Sequence, residues 1–194
     1  MVKKNACVFI SGEGTNLRAL YKYSKEKNFP INIKLLVTSN ISAKGVVFAK
    51  KVGIPYLVYR NNKLSEEFKI LNKIKQHKIS IICLAGFMRI LSSNFINVFG
   101  KKIINIHPSL LPKFKGLNTY QRILQNKEKK TGCTVHFVSK KLDGGKIILP
   151  ASNLLFTKWT VQPVFFSLFF KTLSNVFNPL NLGSNEGWIL IIFF

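Results

Sequence analysis

The chain has 194 residues, 47% of them hydrophobic, enough apolar material for one well-filled domain. Its formal charge of +23 comes from 30 Lys and Arg against 7 Asp and Glu, but the basic residues fall in scattered pairs such as Lys50-Lys51 and Lys140-Lys141. Without a basic block or arginine-rich arm, the charge reads as lysine-rich composition and excludes a dedicated nucleic-acid arm, leaving only unspecific affinity for phosphates.

Residues 7–10 form a short apolar run, the mark of a buried strand. The loop S-G-E-G-T-N follows at 11–16, and a helical pattern opens at Leu17. Strand, glycine loop and helix together can hold a phosphate on backbone N–H groups. The loop lacks G-K-[ST], so it is not a P-loop, and Glu13 at its tip would repel an anion unless turned away. Residues 31–37 read as a second strand, 43–52 as a helix closed by Gly53 and Pro55, and 56–59 as a third strand. Ser65 is placed to cap a helix running to Gln76, with Glu66 and Glu67 in its first turn. Residues 79–85 are a fourth strand, leading into Gly86-Phe87-Met88-Arg89. Ser92 or Ser93 can cap a short helix carrying Phe95, Ile96 and Phe99.

Next comes I-I-N-I-H-P at 103–108. Asn105 and His107 alternate with Ile104 and Ile106, so they share one face of a strand, which Pro108 ends. An amide and an imidazole presented together can donate hydrogen bonds to a developing oxyanion. The bland alternative is an edge strand with two polar residues. Asn118 or Thr119 can then cap a helix to Gln125, residues 134–138 alternate as a strand, and L-D-G-G at 142–145 is a turn before a strand starting at Ile147. Asp143 in that turn is by itself ordinary turn chemistry. Strands alternating with helices imply a mainly parallel sheet, with ligands beyond the carboxyl ends of its strands. Loop 11–16, segment 86–89 and the Asn105–His107 pair all lie at such ends.

Cys7, Cys83 and Cys133 are an odd set with no C-x-x-C spacing, each among apolar neighbours. Reduced, buried thiols are expected, not disulfides or zinc ligands. The first apolar run is too short for a signal peptide, and residues 164–170 supply under half of the ~20 residues a membrane span needs. A cytoplasmic protein with no membrane partner is expected.

Taken together, I-S-G-E-G-T-N-L, L-A-G-F-M-R-I-L-S, I-N-I-H-P-S-L-L-P-K-F-K-G-L-N-T and G-C-T-V-H-F-V-S-K-K-L-D-G-G-K-I-I-L closely resemble the phosphoribosylglycinamide formyltransferase family over residues 8–149. The last two blocks carry most of the specificity, although H-P-S-L-L-P is also similar to a segment of methionyl-tRNA formyltransferase. The resemblance implies an α/β, Rossmann-like formyltransferase fold with a mostly parallel sheet flanked by helices. It implies 10-formyltetrahydrofolate as formyl donor, the amine of 5'-phosphoribosylglycinamide as acceptor, and a place in purine (IMP) synthesis. It assigns Asn105, His107 and Asp143 as the catalytic residues and Gly14, Thr15 and Asn16 as the phosphate grip. Met88, Arg89, Ile90 and Leu91, with Asn105, match the folate pocket. His136 matches a histidine near the catalytic aspartate, and Gly116 opens a loop close to the substrates. In the implied chemistry Asn105 and a protonated His107 stabilise the oxyanion while Asp143 favours the imidazolium and helps move protons. No metal is called for, and the partners are small molecules, with a monomer or weak homodimer expected.

Departures from the family pattern are Glu13 in the phosphate loop, Tyr120 where a histidine is frequent, and Glu66-Glu67 where a basic folate contact is usual. The largest follows Ser152, so residues 1–152 are expected to form the catalytic domain and 153–194 a divergent, hydrophobic tail, genuine or frame-shifted. Competing functions are methionyl-tRNA formyltransferase, formyltetrahydrofolate hydrolase, and an inactive basic binding protein on a decayed enzyme scaffold. Neither the C-terminal RNA-binding domain usual in the first nor the N-terminal regulatory domain usual in the second is expected, which disfavours both.

Overall fold

The computed structural model describes residues 2–60, 64–99, 102–128 and 130–155. Strands and helices alternate: β1 (Lys4–Ile10), α1 (Thr15–Ser24), β2 (Ile31–Thr38), α2 (Lys44–Lys51), β3 (Tyr56–Val58), α3 (Leu64–Gln76), β4 (Ile81–Leu84), α4 (Ser93–Phe99) and β5 (Ile103–His107). Then follow α5 (Thr119–Gln125), β6 (Lys130–Phe137) and β7 (Ile147–Leu155). The strands make one sheet in the order β3-β2-β1-β4-β5-β6-β7. β1 to β5 are parallel, and β6 and β7 add to the β5 side as antiparallel strands.

Both faces of the parallel part are covered, which is why its strands read as continuous apolar runs. On one face Leu17 and Leu20 of α1 and Val46 and Ala49 of α2 pack on Val8, Ile33 and Ile104. On the other Ile70 and Ile74 of α3 and Phe95 and Ile96 of α4 pack on Phe9, Leu35, Ile82 and Ile103. The strand order reverses at β1, between β2 and β4, the crevice where open α/β sheets bind ligands.

Some boundaries differ from the sequence reading. β1 begins three residues earlier, because Lys4, Asn5 and Ala6 find ladder partners on β2. α3 starts at Leu64, so Ser65 lies inside its first turn and does not cap it. Ser92 is the cap of α4, its hydroxyl accepting the Phe95 N–H at 3.0 Å. β7 runs to Leu155, three residues beyond Ser152, in register with β6. Pro150 is tolerated there because β7 is an edge strand. Residues 156–194, most of the expected tail, lie outside the described residues.

Cys7, Cys83 and Cys133 are buried and free. Burial pushes the Cys83 and Cys133 thiols up to about 12 and raises Cys7 as well, so these are inert core side chains.

Candidate active site

A cavity of about 960 Å³ opens beyond the carboxyl ends of β4 and β5. Its walls are segment 86–91, the strand end Asn105–His107, the loop 116–121, His136 on β6, and the turn carrying Leu142 and Asp143. Ile103 belongs to the core under α3 and α4, and the alternation of β5 carries that same face past the core to Asn105 and His107. The expected pairing of these two side chains is thus produced by strand geometry.

Three polar side chains converge from separate elements. Asn105 lies opposite His136 in the antiparallel β5–β6 register, and its Nδ2 is 3.2 Å from His136 Nε2. His136 Nδ1 donates to the Phe137 carbonyl at 2.9 Å, which turns Nε2 toward both the Asn105 amide and the Asp143 carboxylate. The second hydrogen of that amide is left for another acceptor. Asp143 sits in the left-handed region at φ 46, a conformation Asp tolerates better than most residues. Its Oδ2 accepts the Gly116 N–H at 2.7 Å and is 3.4 Å from His107 Nδ1, while Oδ1 is 3.6 Å from His136 Nε2.

Gly145 explains the glycine pair after Asp143. A Cβ there would stand 1.7 Å from the Phe137 carbonyl oxygen, so only glycine lets the turn lie this close to β6.

His107 is 4% exposed and engaged on both ring nitrogens. Nε2 lies 2.8 Å from the Phe114 carbonyl oxygen and must donate to it. Nδ1 faces the Asp143 carboxylate. Burial holds the imidazole below its ordinary value of 6.5, although the Phe114 bond and the Asp143 charge pull it back up, and His136 and Arg122 push it further down. Burial thus favours the neutral ring at rest, while the two acceptors that face its nitrogens favour the imidazolium. Both nitrogens face protein acceptors, Nε2 the Phe114 carbonyl and Nδ1 the Asp143 carboxylate. Burial pushes the Asp143 carboxyl up, but His136, the Gly116 N–H and His107 together hold it below the ordinary carboxylate value.

The backbone carbonyl of Phe114 could not be found from side-chain patterns. Its loop is fixed by Thr134, whose hydroxyl donates to Ser109 O at 2.7 Å and accepts the Leu111 N–H at 3.0 Å. Ser109 Oγ donates to Lys113 O, and Arg122 of α5 donates to Lys115 O with its guanidinium 5.8 Å from the Phe114 ring centre.

Met88, Arg89, Ile90 and Leu91 all line the cavity; Met88 and Ile90 are about two-thirds exposed and Leu91 is buried. Gly14, Thr15 and Asn16 do not line it; Gly14 ends the adjoining loop after β1, and Thr15 and Asn16 open α1. Ser11 joins the two, its Oγ accepting the Met88 N–H and the Ser39 hydroxyl, both at 2.7 Å. Gly14 caps α1 at φ 70 and packs on Gly45 at the start of α2, where a Cβ on Gly14 would meet Gly45 Cα at 2.6 Å. The first bond inside α1 is Arg18 N–H to Gly14 O, so the amides of Thr15, Asn16 and Leu17 have no partner within the helix. Glu13 turns to Lys44, 3.1 Å away, and both are exposed. Of the two acids replacing a basic contact, Glu66 pairs with Lys69 and Glu67 is buried.

Among the described residues no group of three or more His, Cys, Asp or Glu could hold a metal ion, and no helix is long and apolar enough to cross a membrane.

A formyl transferase family model matches residues 4–164. A phosphoribosylglycinamide formyltransferase of Haemophilus influenzae is 38% identical over 165 residues, covering 83% of this chain and 78% of that protein. The Homo sapiens trifunctional purine biosynthetic protein adenosine-3 is 40% identical over 151 residues; the match covers 76% of this chain and 15% of that longer protein. The crystal structure of phosphoribosylglycinamide formyltransferase from Bacillus halodurans superposes with a TM-score of 0.83 at 30% identity, covering 92% of this chain and 98% of the other. With the sheet order and the cavity already described, these matches show that the chain belongs to the phosphoribosylglycinamide formyltransferase family.

Proposed function

We propose that this chain transfers the formyl group of 10-formyltetrahydrofolate to the amine of 5'-phosphoribosylglycinamide, a step of purine biosynthesis. The observation that carries this reading is the meeting of Asn105, His107 and Asp143 in one cavity beyond the strand ends. The cavity rim suits a folate: exposed Met88, Ile90, Leu117 and Leu142 offer apolar cover for a flat ring system, and Arg89 and Lys140 offer cations for carboxylates. The amides at Thr15 and Asn16, after the tight Gly14, offer the adjoining phosphate site.

The acceptor amine bonds to the formyl carbon, and the carbonyl electrons move onto its oxygen. The free hydrogen of the Asn105 amide donates to that oxygen. His107, neutral at rest, takes up positive charge as the amine becomes acidic, and its Nδ1 shares the proton with Asp143. The carbon–nitrogen bond to the folate then breaks, and the proton ends on the leaving nitrogen. The catalytic unit is read as residues 1–152, acting in the cytoplasm as a monomer or weak homodimer on small molecules, with no specific nucleic acid.

The test is an assay of the purified chain with formyl-folate in the presence and absence of phosphoribosylglycinamide. Folate release that requires the amine supports the transfer. Release without it would mean hydrolysis, and no release with retained binding would mean an inactive scaffold.

A further inference from the structure

Glu67 is 1% exposed, a carboxylate inside the α3 core that the reaction does not use. Taking a carboxylate out of water is costly unless its oxygens are hydrogen-bonded. Here three neutral donors meet it. The Tyr59 hydroxyl donates to Oε1 at 3.1 Å, the Ser92 N–H donates to Oε1 at 3.2 Å, and the Ser92 hydroxyl donates to Oε2. Beside Glu67, burial pushes the Tyr59 hydroxyl well above its ordinary range, and the carboxylate adds to that.

These donors sit at both ends of the cavity wall. Ser92 is the residue directly after segment 86–91, and its hydroxyl also caps α4. The Tyr59 ring lies 6.0 Å from the ring of Phe87, near the start of the segment. Between those points Met88, Arg89 and Ile90 project into solvent, so packing does little to hold them. At its other end the segment is tied to β1, by the Met88 N–H on Ser11 Oγ, the Ser11 N–H on the Gly86 carbonyl and the Phe87 ring against Phe9.

We infer that Glu67 is a positioning residue for the donor side of the cavity, fixing segment 86–91 through Ser92 and Tyr59 without touching either substrate. This rests on the reading of that segment as the folate wall. Glu67→Gln keeps the shape and one acceptor oxygen, but sets an NH₂ group against the Ser92 hydroxyl. The expected result is a rise of about tenfold in both the KM and the Kd for formyl-folate, the scale of one charge-assisted hydrogen bond. The KM for phosphoribosylglycinamide should stay unchanged and kcat within about twofold, since the catalytic trio is held by other bonds. Ser92→Ala should reproduce the donor effect, and the double variant should add nothing further, the signature of a shared contact.

An unchanged donor KM in a folded Glu67→Gln variant would overturn the inference and leave Glu67 as a purely structural group. So would a fall in kcat with both KM values moving together. Should Glu67→Gln fail to fold, Ser92→Ala and Tyr59→Phe carry the same readout. Wild-type protein that binds no formyl-folate at all would instead overturn the reading of the site, and this inference with it.

Discussion

Asn105 and His136 stand opposite each other on β5 and β6, joined by a 3.2 Å contact between Nδ2 and Nε2. Because His136 Nδ1 donates to Phe137 O, Nε2 is the ring nitrogen turned toward Asn105. The contact holds the amide at the cavity wall, and we propose that His136 positions Asn105 in this way. His136→Ala should lower kcat by about tenfold or more, in line with the cost of a misaligned reacting group, with substrate KM values little changed. Steady-state kinetics on the folded variant check this; a variant with full kcat would remove His136 from the catalytic arrangement.

The trio itself should respond more strongly. Asn105→Ala, His107→Ala and Asp143→Ala are each expected to reduce kcat by at least about a hundredfold, the usual scale for an oxyanion donor or a proton-transfer group. Their losses should not add, because His107 and Asp143 act as one unit. Near-wild-type turnover in any two of the folded variants would end the assignment.

The pH profile follows from the position of His107. Its neutral form must accept a proton, so kcat should fall on the acid side with an apparent pKa below 6.5, the direction set by burial. The Asp143 charge raises this value and the Arg122 charge lowers it. Asp143→Asn should therefore move the acid limb to lower pH, and Arg122→Gln should move it slightly higher, since exposed charges are screened. Stability has the matching sign. The unfolded imidazole binds its proton at higher pH than the folded one, so this contribution is present above 6.5 and is lost as pH falls toward the folded value. Asp143, held low, contributes above 3.8 and is lost as pH falls through its own folded value. Kinetics across roughly pH 4 to 8 read the His107 limb, and thermal melts carried down to about pH 2 read the Asp143 limb as well.

Much of this site was legible before the structure, for identifiable reasons. Apolar runs separated by helical patterns fix the parallel strands, and period-two alternation alone puts Asn105 and His107 on one face. Asp143 was legible only through the family resemblance, because nothing local relates a turn aspartate to a distant strand end. The Phe114 carbonyl was invisible, since any residue has one and only the fold of loop 109–116 aims it at His107. The downward pull on the His107 imidazole was not legible because it comes from burial, which the sequence does not display. Glu67 was legible only as an acid of a first helical turn; its burial depends on Tyr59 and Ser92, which supply donors from other elements.

Glu13 is the remaining oddity of the phosphate loop, and its contact with Lys44 accounts for it. The two charges lie 3.1 Å apart and are more than half exposed, so the pair adds little to stability. Its effect is local: it turns the carboxylate toward Lys44 at the start of α2. Glu13→Asn removes the negative charge and releases the Lys44 ammonium beside an anion site. The KM for phosphoribosylglycinamide should then hold steady or fall. Lys44→Ala does the opposite, leaving Glu13 uncompensated at the loop tip, and the same KM should rise by a few-fold, on the order of one screened charge contact. Added salt should shrink the Lys44→Ala effect more than the catalytic losses of the trio. A strong loss of ribonucleotide affinity in Glu13→Asn would show that the carboxylate makes a favourable contact with the substrate, and would move the phosphate away from this loop.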